Sequence, residues 1–542
     1  MSTYLPTSPF AAAARRALAW AAVVVSGMAT LGLAWRAVLL TVAVALGGCA
    51  VLPSQVERPV SHARSDIADT GLAKIAAAST AVAAGPEVSG FRLLADGAEA
   101  FDTRVALIRR AEKTLDVQYY VIANDATGRE FLRELQAAAA RGVRVRILVD
   151  DLYATGQDEL FAGLAAHDNV ELRLFNPLPV RAGSFTQRIV FSLHQFSRIN
   201  HRMHNKLFIA DGSFAVTGGR NIADEYFGRS GDANFIDMDL LSIGPVVAKL
   251  AAVFDGFWNS DVVYPIGSLT GAASRDAFAR QVDAAGDAAA TLSPQDAESV
   301  EAQLAAGRVD LEPASAEVIA DVPQKAAGDI ATPTVADAHV ALLASARSEV
   351  LIASPYFVPG AEARATLADL RARDVGVSVL TNSLATTDEP LVHYGYAVHR
   401  PALLKSGIDL HELMATAEAT GDEPHGSIGS SGRGSSSLGR LHTKLTVVDE
   451  ERTFVGSMNM DPRSARINTE SGIVIRSAPL ARLAAKFLRV RQELASYKVQ
   501  QQGDRLGWLS RHNGARSDEP RSPAEPAMPV RLLAQLLGEG VL

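Results

Sequence analysis

The sequence predicts an α/β protein of two tandem domains. Each is a mixed β-sheet flanked by helices, and the two pack as a pseudo-two-fold pair. Two observations predict this. Helix and strand patterns recur in the same order in both halves of the 542-residue chain, at an offset of about 235 residues. Such alternation makes βαβ units and a helix-covered sheet. A polar pattern, H-x-K-x4-D-x6-G-[GS]-x-N, also occurs twice. It runs through His204, Lys206, Asp211, Gly218 and Asn221, then through His442, Lys444, Asp449, Gly456 and Asn459, 238 positions later throughout.

With 48% hydrophobic and 21% charged residues, the chain is globular rather than disordered. The first domain, 91–270, opens with a helix at Asp102–Lys113 and a strand at Leu115–Val121. A helix to Ala140, the turn Arg141-Gly142 and an apolar strand, Val143–Val149, follow. The second domain, 333–498, repeats the order with helix Ala336–Arg347, strand Val350–Val358, helix Ala361–Arg373 and strand Val375–Leu380. Residues 50–90, polar and Ala-rich with Pro53, Pro59 and Pro86, predict a tether. Residues 271–332, rich in Ala, Asp and Glu, predict a linker or insertion. Gly421–Leu438 is Gly/Ser-rich and predicts a flexible segment. Residues 499–542, with four prolines after 519, predict a loose polar tail.

The N-terminus reads as a membrane address. Ala17–Trp35 is a 19-residue uncharged stretch, long enough to span a bilayer. After Arg36 a shorter apolar run ends in Leu46-Gly47-Gly48-Cys49, and Cys49 is the only cysteine. Leu-Gly-Gly-Cys resembles a bacterial lipobox, which implies lipidation of Cys49 after removal of residues 1–48. An uncleaved anchor over 1–49 is the alternative. Initiation at Met28 would give a signal of ordinary size. Either way the expected location is a bacterial envelope membrane, as a lipoprotein facing the periplasm on the first reading. One cysteine excludes an intrachain disulfide and any multi-cysteine metal site.

The repeated pattern carries the chemistry. Two of only nine lysines lie in it. On a strand, His and Lys two apart share a face. Asp211-Gly212 then turns the chain back, and the glycines let Asn221 and Asn459 approach the His–Lys pairs. An imidazole can attack phosphorus and form a covalent intermediate. A second can protonate the leaving oxygen and deprotonate the incoming one. Two lysines and two asparagines can hold the nonbridging oxygens. No metal or other cofactor is called for, since two ammonium groups supply the charge. Each half holds half a site, so the halves must face each other. Asp211 and Asp449 either touch substrate or brace their turns. His201, His393, His399, His411 and His425 repeat nothing and are expected to be structural or superficial.

The two motifs resemble those of the phospholipase D superfamily, in its two-motif HKD branch. Within it the chain is similar to bacterial cardiolipin synthases, especially of the type C class. Further matches are Tyr119-Tyr120, Arg220 to Phe227, Phe235 to Asp239, Ser354 to Pro359, Asp461 to Ser464 and Asn468 to Glu470. The resemblance implies phosphatidyl transfer through a phosphohistidine, with His204 as nucleophile and His442 as acid/base. It also implies an acidic residue after each motif that orients an imidazole. Glu470 lies 28 positions after His442, and Asp239 lies 35 after His204, with Asp237 competing for that place. The implied substrates are phosphatidylglycerol and a second phospholipid, with phosphatidylethanolamine a candidate, at a membrane surface. The alternatives are hydrolysis to phosphatidic acid, cleavage of nucleic acid, and non-catalytic binding. Residues 1–48 hold three arginines and no acid, so the rest carries −11, which argues against nucleic acid. Two intact motifs argue against a mere binder.

Overall fold

A computed structural model describes residues 51–80, 85, 87–271, 274–283, 299–329, 333–415, 438–503, 505–510 and 514–520. Cys49, the whole 1–49 segment, His425 and nearly all of Gly421–Leu438 lie outside the described residues.

Both halves build the same sheet. In the first, three parallel strands, Val170–Phe175, Arg144–Asp150 and Thr114–Tyr119, lie side by side. Antiparallel strands Leu207–Ala210, Phe214–Gly218, Asp239–Ile243 and Val88–Leu94 continue it. The second half has Asp409–Leu413, Gly376–Asn382, Glu349–Ala353, Leu445–Val448, Arg452–Gly456, Ser471–Arg476 and Glu312–Ala320 in the same order and sense. Parallel strands covered on both faces need continuous burial, and Thr114–Tyr119 is buried at every position. Helices such as Gly97–Arg110 and Ala126–Ala140 cover them with Phe101, Leu107, Phe131 and Leu135. Asp96 and Asp125 cap these helices by accepting the N–H of Glu99 and Gly128.

The two sheets are one. Val88–Leu94 and Glu312–Ala320 pair antiparallel, Val88 opposite Ser315 and Phe91 opposite Glu312. Among the described residues the resulting sheet has 18 strands, with the pseudo-two-fold axis between those two. A single core, containing Phe91, Met203, Leu207, Leu351, Leu441 and Leu445, crosses the junction.

Three expected boundaries are corrected. The 50–90 tether is packed: Trp258 Nε1 donates to Ser61 Oγ at 2.9 Å, Ala63 N–H to Asp255 Oδ2 at 2.8 Å, and helix Gly71–Thr80 buries Leu72. The 271–332 linker supplies the seam strand Glu312–Ala320. The 499–542 tail begins with sheet: Ser496–Gln502 and Arg505–Ser510 pair, and buried Trp508 donates to Glu412 at 2.8 Å.

Asp211 and Asp449 occupy the hairpin turns at φ 46° and 55°, a region aspartate tolerates. Asp211 accepts the N–H groups of Glu112, Lys113 and Thr114 at 2.9, 2.8 and 2.9 Å. Asp449 accepts those of Ser348, Arg347 and Glu349 at 2.7, 3.0 and 3.1 Å. Both carboxylates fasten the hairpin to the entry of the neighbouring strand. The catalytic reading of these two is therefore corrected to a bracing one.

Candidate active site

The motifs meet at the seam. His204 N–H donates to Thr469 O at 2.9 Å, and His442 N–H donates to Ile236 O at 2.8 Å. Each histidine is thereby held by the backbone of the other half. Leu438–Leu441 runs parallel to Ala233–Ile236, and an isolated bridge, Met203 with Thr469, is its pseudo-symmetric counterpart.

That crossing brings a carboxylate from the opposite half to each imidazole. His204 Nδ1 is 2.9 Å from Glu470 Oε2, and His442 Nδ1 is 2.6 Å from Asp237 Oδ2. Each acid follows the residue whose carbonyl holds the partner's backbone. Pairing within one half, which order along the chain suggests, does not occur. Asp239 is corrected too. Its carboxylate contacts Arg104 Nη2 at 2.8 Å and Arg220 Nη1 at 3.4 Å, so it is a buried structural anion. Asp237 takes the place that sequence reading had left between the two.

Strand register explains which acid it is. Gly218 lies opposite Asp239 and Gly456 opposite Gly472. Asp239 and Gly472 are thus equivalent, and the equivalent carboxylates are those two positions earlier, Asp237 and Glu470. The glycines make room: a Cβ on Gly219 would stand 2.3 Å from Asp237 Oδ1. At the equivalent position Ser457 instead hydrogen-bonds Glu470 Oε2. Its variable place in the motif conceals that role.

The lysines close the site. Lys206 Nζ donates to His204 O at 2.7 Å. Lys444 Nζ donates to His442 O at 2.6 Å and lies 3.0 and 3.1 Å from the two ring nitrogens. Asn221 Nδ2 donates to Tyr226 Oη at 2.8 Å, and its Oδ1 accepts Val121 N–H. Asn459 is buried, and its Oδ1 has no partner among the described residues. Tyr120 meets the His204 ring edge-on at 5.1 Å, as Tyr226 meets His442 at 5.1 Å.

A support missed in the sequence comes from the segment between the domains. Asp321 Oδ2 accepts Glu470 N–H at 2.9 Å and Lys325 Nζ at 2.7 Å, while Asp321 N–H donates to Glu470 O at 2.9 Å. In the first half Arg220 does this work, donating to Asp237 O at 2.8 Å. Met458 stands at the position equivalent to Arg220, so the second half takes its cation from Lys325. Nothing in the repeat marks Lys325, because it lies outside it.

Burial dominates the titration of these groups. It pushes His204 down to about 4, against the pull of Glu470. It pushes Lys206 down to about 7, with Lys444 adding to the fall, and Lys444 down to about 8 against the pull of Asp237 and Glu470. His442 is held well below its ordinary value by burial and by Lys444 and Lys206. The acids diverge. Burial acts to raise Glu470, but His204, Lys206 and Ser457 outweigh it and hold it low. Asp237 is raised, burial outweighing Lys444 and Arg220.

Residues 105–258 and 340–491 match the family described as cardiolipin synthase, PLD-like domain. The chain is 36% identical to cardiolipin synthase C of Escherichia coli, over 79% of this chain and 90% of that protein. It is 26% identical to a cardiolipin synthase of Geobacillus kaustophilus, over 70% of this chain and 61% of that protein. The crystal structure of a phosphatidylserine synthase from Haemophilus influenzae superposes with a TM-score of 0.53 at 15% identity, covering 84% of this chain and 95% of that one, which is a likeness of fold. Two copies of one domain, each lending a carboxylate to the other's histidine, and a family match on both copies lead to the same place: the chain belongs to the phospholipase D superfamily, in the family of cardiolipin synthase, PLD-like domains, and is an enzyme of the phospholipase D type.

Proposed function

We propose that the chain synthesises cardiolipin, moving a phosphatidyl group from one phospholipid to the hydroxyl of phosphatidylglycerol. The observation that carries this is the pair of crossed imidazole–carboxylate contacts, set between two buried lysines in a chain similar to cardiolipin synthase C. Their electrostatics support a division of labour. Glu470 held ionised accepts the Nδ1 proton of a neutral His204, leaving the Nε2 lone pair free to attack phosphorus. His442 and Asp237 favour sharing a proton, which suits a group that must give one and take one back. The donor's P–O bond breaks as His204 Nε2 forms a P–N bond, and the head-group oxygen takes a proton from His442. The acceptor hydroxyl then gives its proton to His442, its oxygen forms a new P–O bond, and the P–N bond breaks. Lys206 and Lys444 neutralise the phosphoryl oxygens in both steps. Asn221 Nδ2 is spent on Tyr226 Oη, so Asn459, through its Nδ2, is the better placed of the two asparagines to join them.

The finer reading continues from the sequence. Phosphatidylethanolamine is the candidate second substrate, and on the lipobox reading Cys49 carries the lipid anchor and the site faces the periplasm. Among the described residues no helix is long and apolar enough to cross a membrane.

The test is incubation of the purified protein with labelled phosphatidylglycerol vesicles, with and without phosphatidylethanolamine, in chelator, with products read by mass spectrometry. Cardiolipin is expected. Phosphatidic acid alone would replace this reading with hydrolysis.

The lysines also set a pH dependence. A lysine whose value is depressed loses its charge as pH rises through that value. In the free enzyme kcat/KM should therefore fall between pH 7 and 8, the values of Lys206 and Lys444. A bound phosphodiester restores the ammonium forms, so kcat should fall only at higher pH. Lys206→Arg, always charged, should lower the rate yet remove the earlier part of that decline. Parallel alkaline limbs for kcat and kcat/KM would contradict the assignment.

A further inference from the structure

The segment that leads into His204 turns its apolar side chains outward. It folds as short helical stretches, Phe185–Ser192, Leu193–Gln195 and Phe196–Ile199. Val190, Leu193 and Phe196 follow one another at intervals of three and are 50%, 50% and 54% exposed, so they form one stripe. The inward side of Phe185–Ser192 is polar, and Ile199 is the buried apolar residue that ends the segment. Arg188 and Ser192 are buried, and Arg188 Nη2 contacts Asp158 at 2.8 Å. Arg181 bonds both Asp158 and Asp151. Charge pairs hold the segment down while its apolar face is left open, the reverse of a helix packed on a core.

Charge and position point to what covers it. From residue 172 through residue 210 the chain carries six Arg or Lys and no Asp or Glu, although the whole chain is net −8. Arg198 gives its hydrogen bonds to neutral groups, Gln195 Oε1, Asn176 Oδ1 and Pro177 O. Asn200, just past the stripe, accepts Arg463 at 2.8 Å through Oδ1 and 2.7 Å through its carbonyl. His204 is four positions further on. The stripe therefore lies on the segment that leads directly into His204, with Phe196 eight positions before it. Arg173, Arg188, Arg202 and Lys206 are buried, and Arg181 is paired with Asp151 and Asp158. The charge left to this face is that of half-buried Arg198, two residues past Phe196. An apolar stripe with a cation at its edge is what an interfacial element presents to anionic lipid.

We propose that Val190, Leu193 and Phe196 form a membrane-docking stripe that inserts into an anionic phospholipid surface beside the active site. This rests on the reading of the site as acting on phospholipids. Docked this way, the entry to His204 meets the head-group layer, where a scissile phosphate lies, and the lipid need not leave the bilayer completely. The contact acts in addition to any N-terminal anchor, because it sets orientation rather than mere attachment.

The test uses the full-length chain and three measurements. The triple variant Val190→Ser, Leu193→Ser, Phe196→Ser should lose about tenfold or more of its activity on phosphatidylglycerol vesicles. It should match the parent on monomeric dihexanoyl phosphatidylglycerol. In Phe196→Trp, the introduced indole should be quenched by vesicles with brominated acyl chains, beyond the quenching in the parent. Unchanged vesicle activity, or no extra quenching, would overturn the proposal. So would a parent dimer that the triple variant dissolves with vesicle activity intact, which would give the stripe to a second copy of this chain. If the parent leaves even monomeric lipid untouched, the phospholipid reading fails, and quenching still decides the docking.

Discussion

His442→Ala should release leaving group once, in an amount equal to the enzyme, and then stop. The substrate for this experiment is a p-nitrophenyl ester of phosphatidic acid, whose leaving group needs no proton. His204 Nε2 can then attack unaided, because Glu470 still accepts from its Nδ1 at 2.9 Å. The second step does need His442. The nucleophilicity of the acceptor hydroxyl rests on losing a proton as it attacks, and His442 is the base that the mechanism provides. Turnover on natural lipid should drop by on the order of 10³-fold or more, while with the p-nitrophenyl ester the phosphatidyl group accumulates on His204. Intact-protein mass spectrometry reads that adduct directly.

His204→Ala should show neither burst nor adduct. The two variants thus distinguish the histidines by role rather than by mere necessity. An adduct on His442 in the His204→Ala protein would reverse the assignment. The electrostatic asymmetry argues against reversal, since Glu470 is held low while Asp237 is raised. A carboxylate that stays ionised keeps its imidazole's proton on Nδ1. One whose value is raised still orients its imidazole but holds that proton less firmly.

Much of this site was legible in the sequence, and the reason is periodicity. His204, Lys206, Asn221 and their counterparts keep a spacing of 238 because the strand, turn and return strand that carry them tolerate no insertion. The carboxylates lie beyond that rigid hairpin. Between Asn221 and Asp237 the chain makes a turn at Asp224–Tyr226 and the strand Ala233–Ile236, whereas between Asn459 and Glu470 it makes the short helix Pro462–Arg466. The spacing shifts to 233, and only strand register tells Asp237 from Asp239. The crossing of acids between halves was not legible either, because it depends on Met203 meeting Thr469 across the seam. The seam strand Glu312–Ala320 read as linker for a physical reason. Most of its side chains are only half-buried or exposed, so its pairing needs backbone and not an apolar run. The segment from residue 51 reads as a tether for a similar reason, being held by hydrogen bonds such as that of Arg58 Nε to Val263 O at 2.6 Å.

Asp237→Asn and Asp239→Asn should separate chemistry from stability at two positions only two residues apart. Asp239 is fully buried between two buried guanidiniums, at 2.8 Å from Arg104 and 3.4 Å from Arg220. Arg104 keeps Tyr119 Oη as an acceptor at 2.9 Å, but a neutral amide cannot balance either charge. Breaking such a buried pair costs about 3–5 kcal/mol, so Asp239→Asn should lower Tm and the denaturant midpoint markedly. Activity measured well below that Tm should survive in large part, reduced only as far as Arg220 loses its grip on the Asp237 carbonyl. Asp237→Asn fits the same space, which matters because Gly219 leaves no room for a larger group. Its Tm should stay near that of the parent. What it loses is the acceptor that fixes the tautomer and raises the basicity of His442. Its kcat should fall by about 10²–10⁴-fold. The fall should be larger for natural lipid than for the p-nitrophenyl ester in a single turnover, since only the former needs a proton to leave. The opposite outcome, with Asp239→Asn inactive at full stability and Asp237→Asn unfolded but active when stabilised, would mean that the acids are assigned in the wrong register. Geometry makes that hard to sustain: Asp239 faces the helix Gly97–Arg110 through Arg104, whereas Asp237 alone reaches an imidazole, at 2.6 Å.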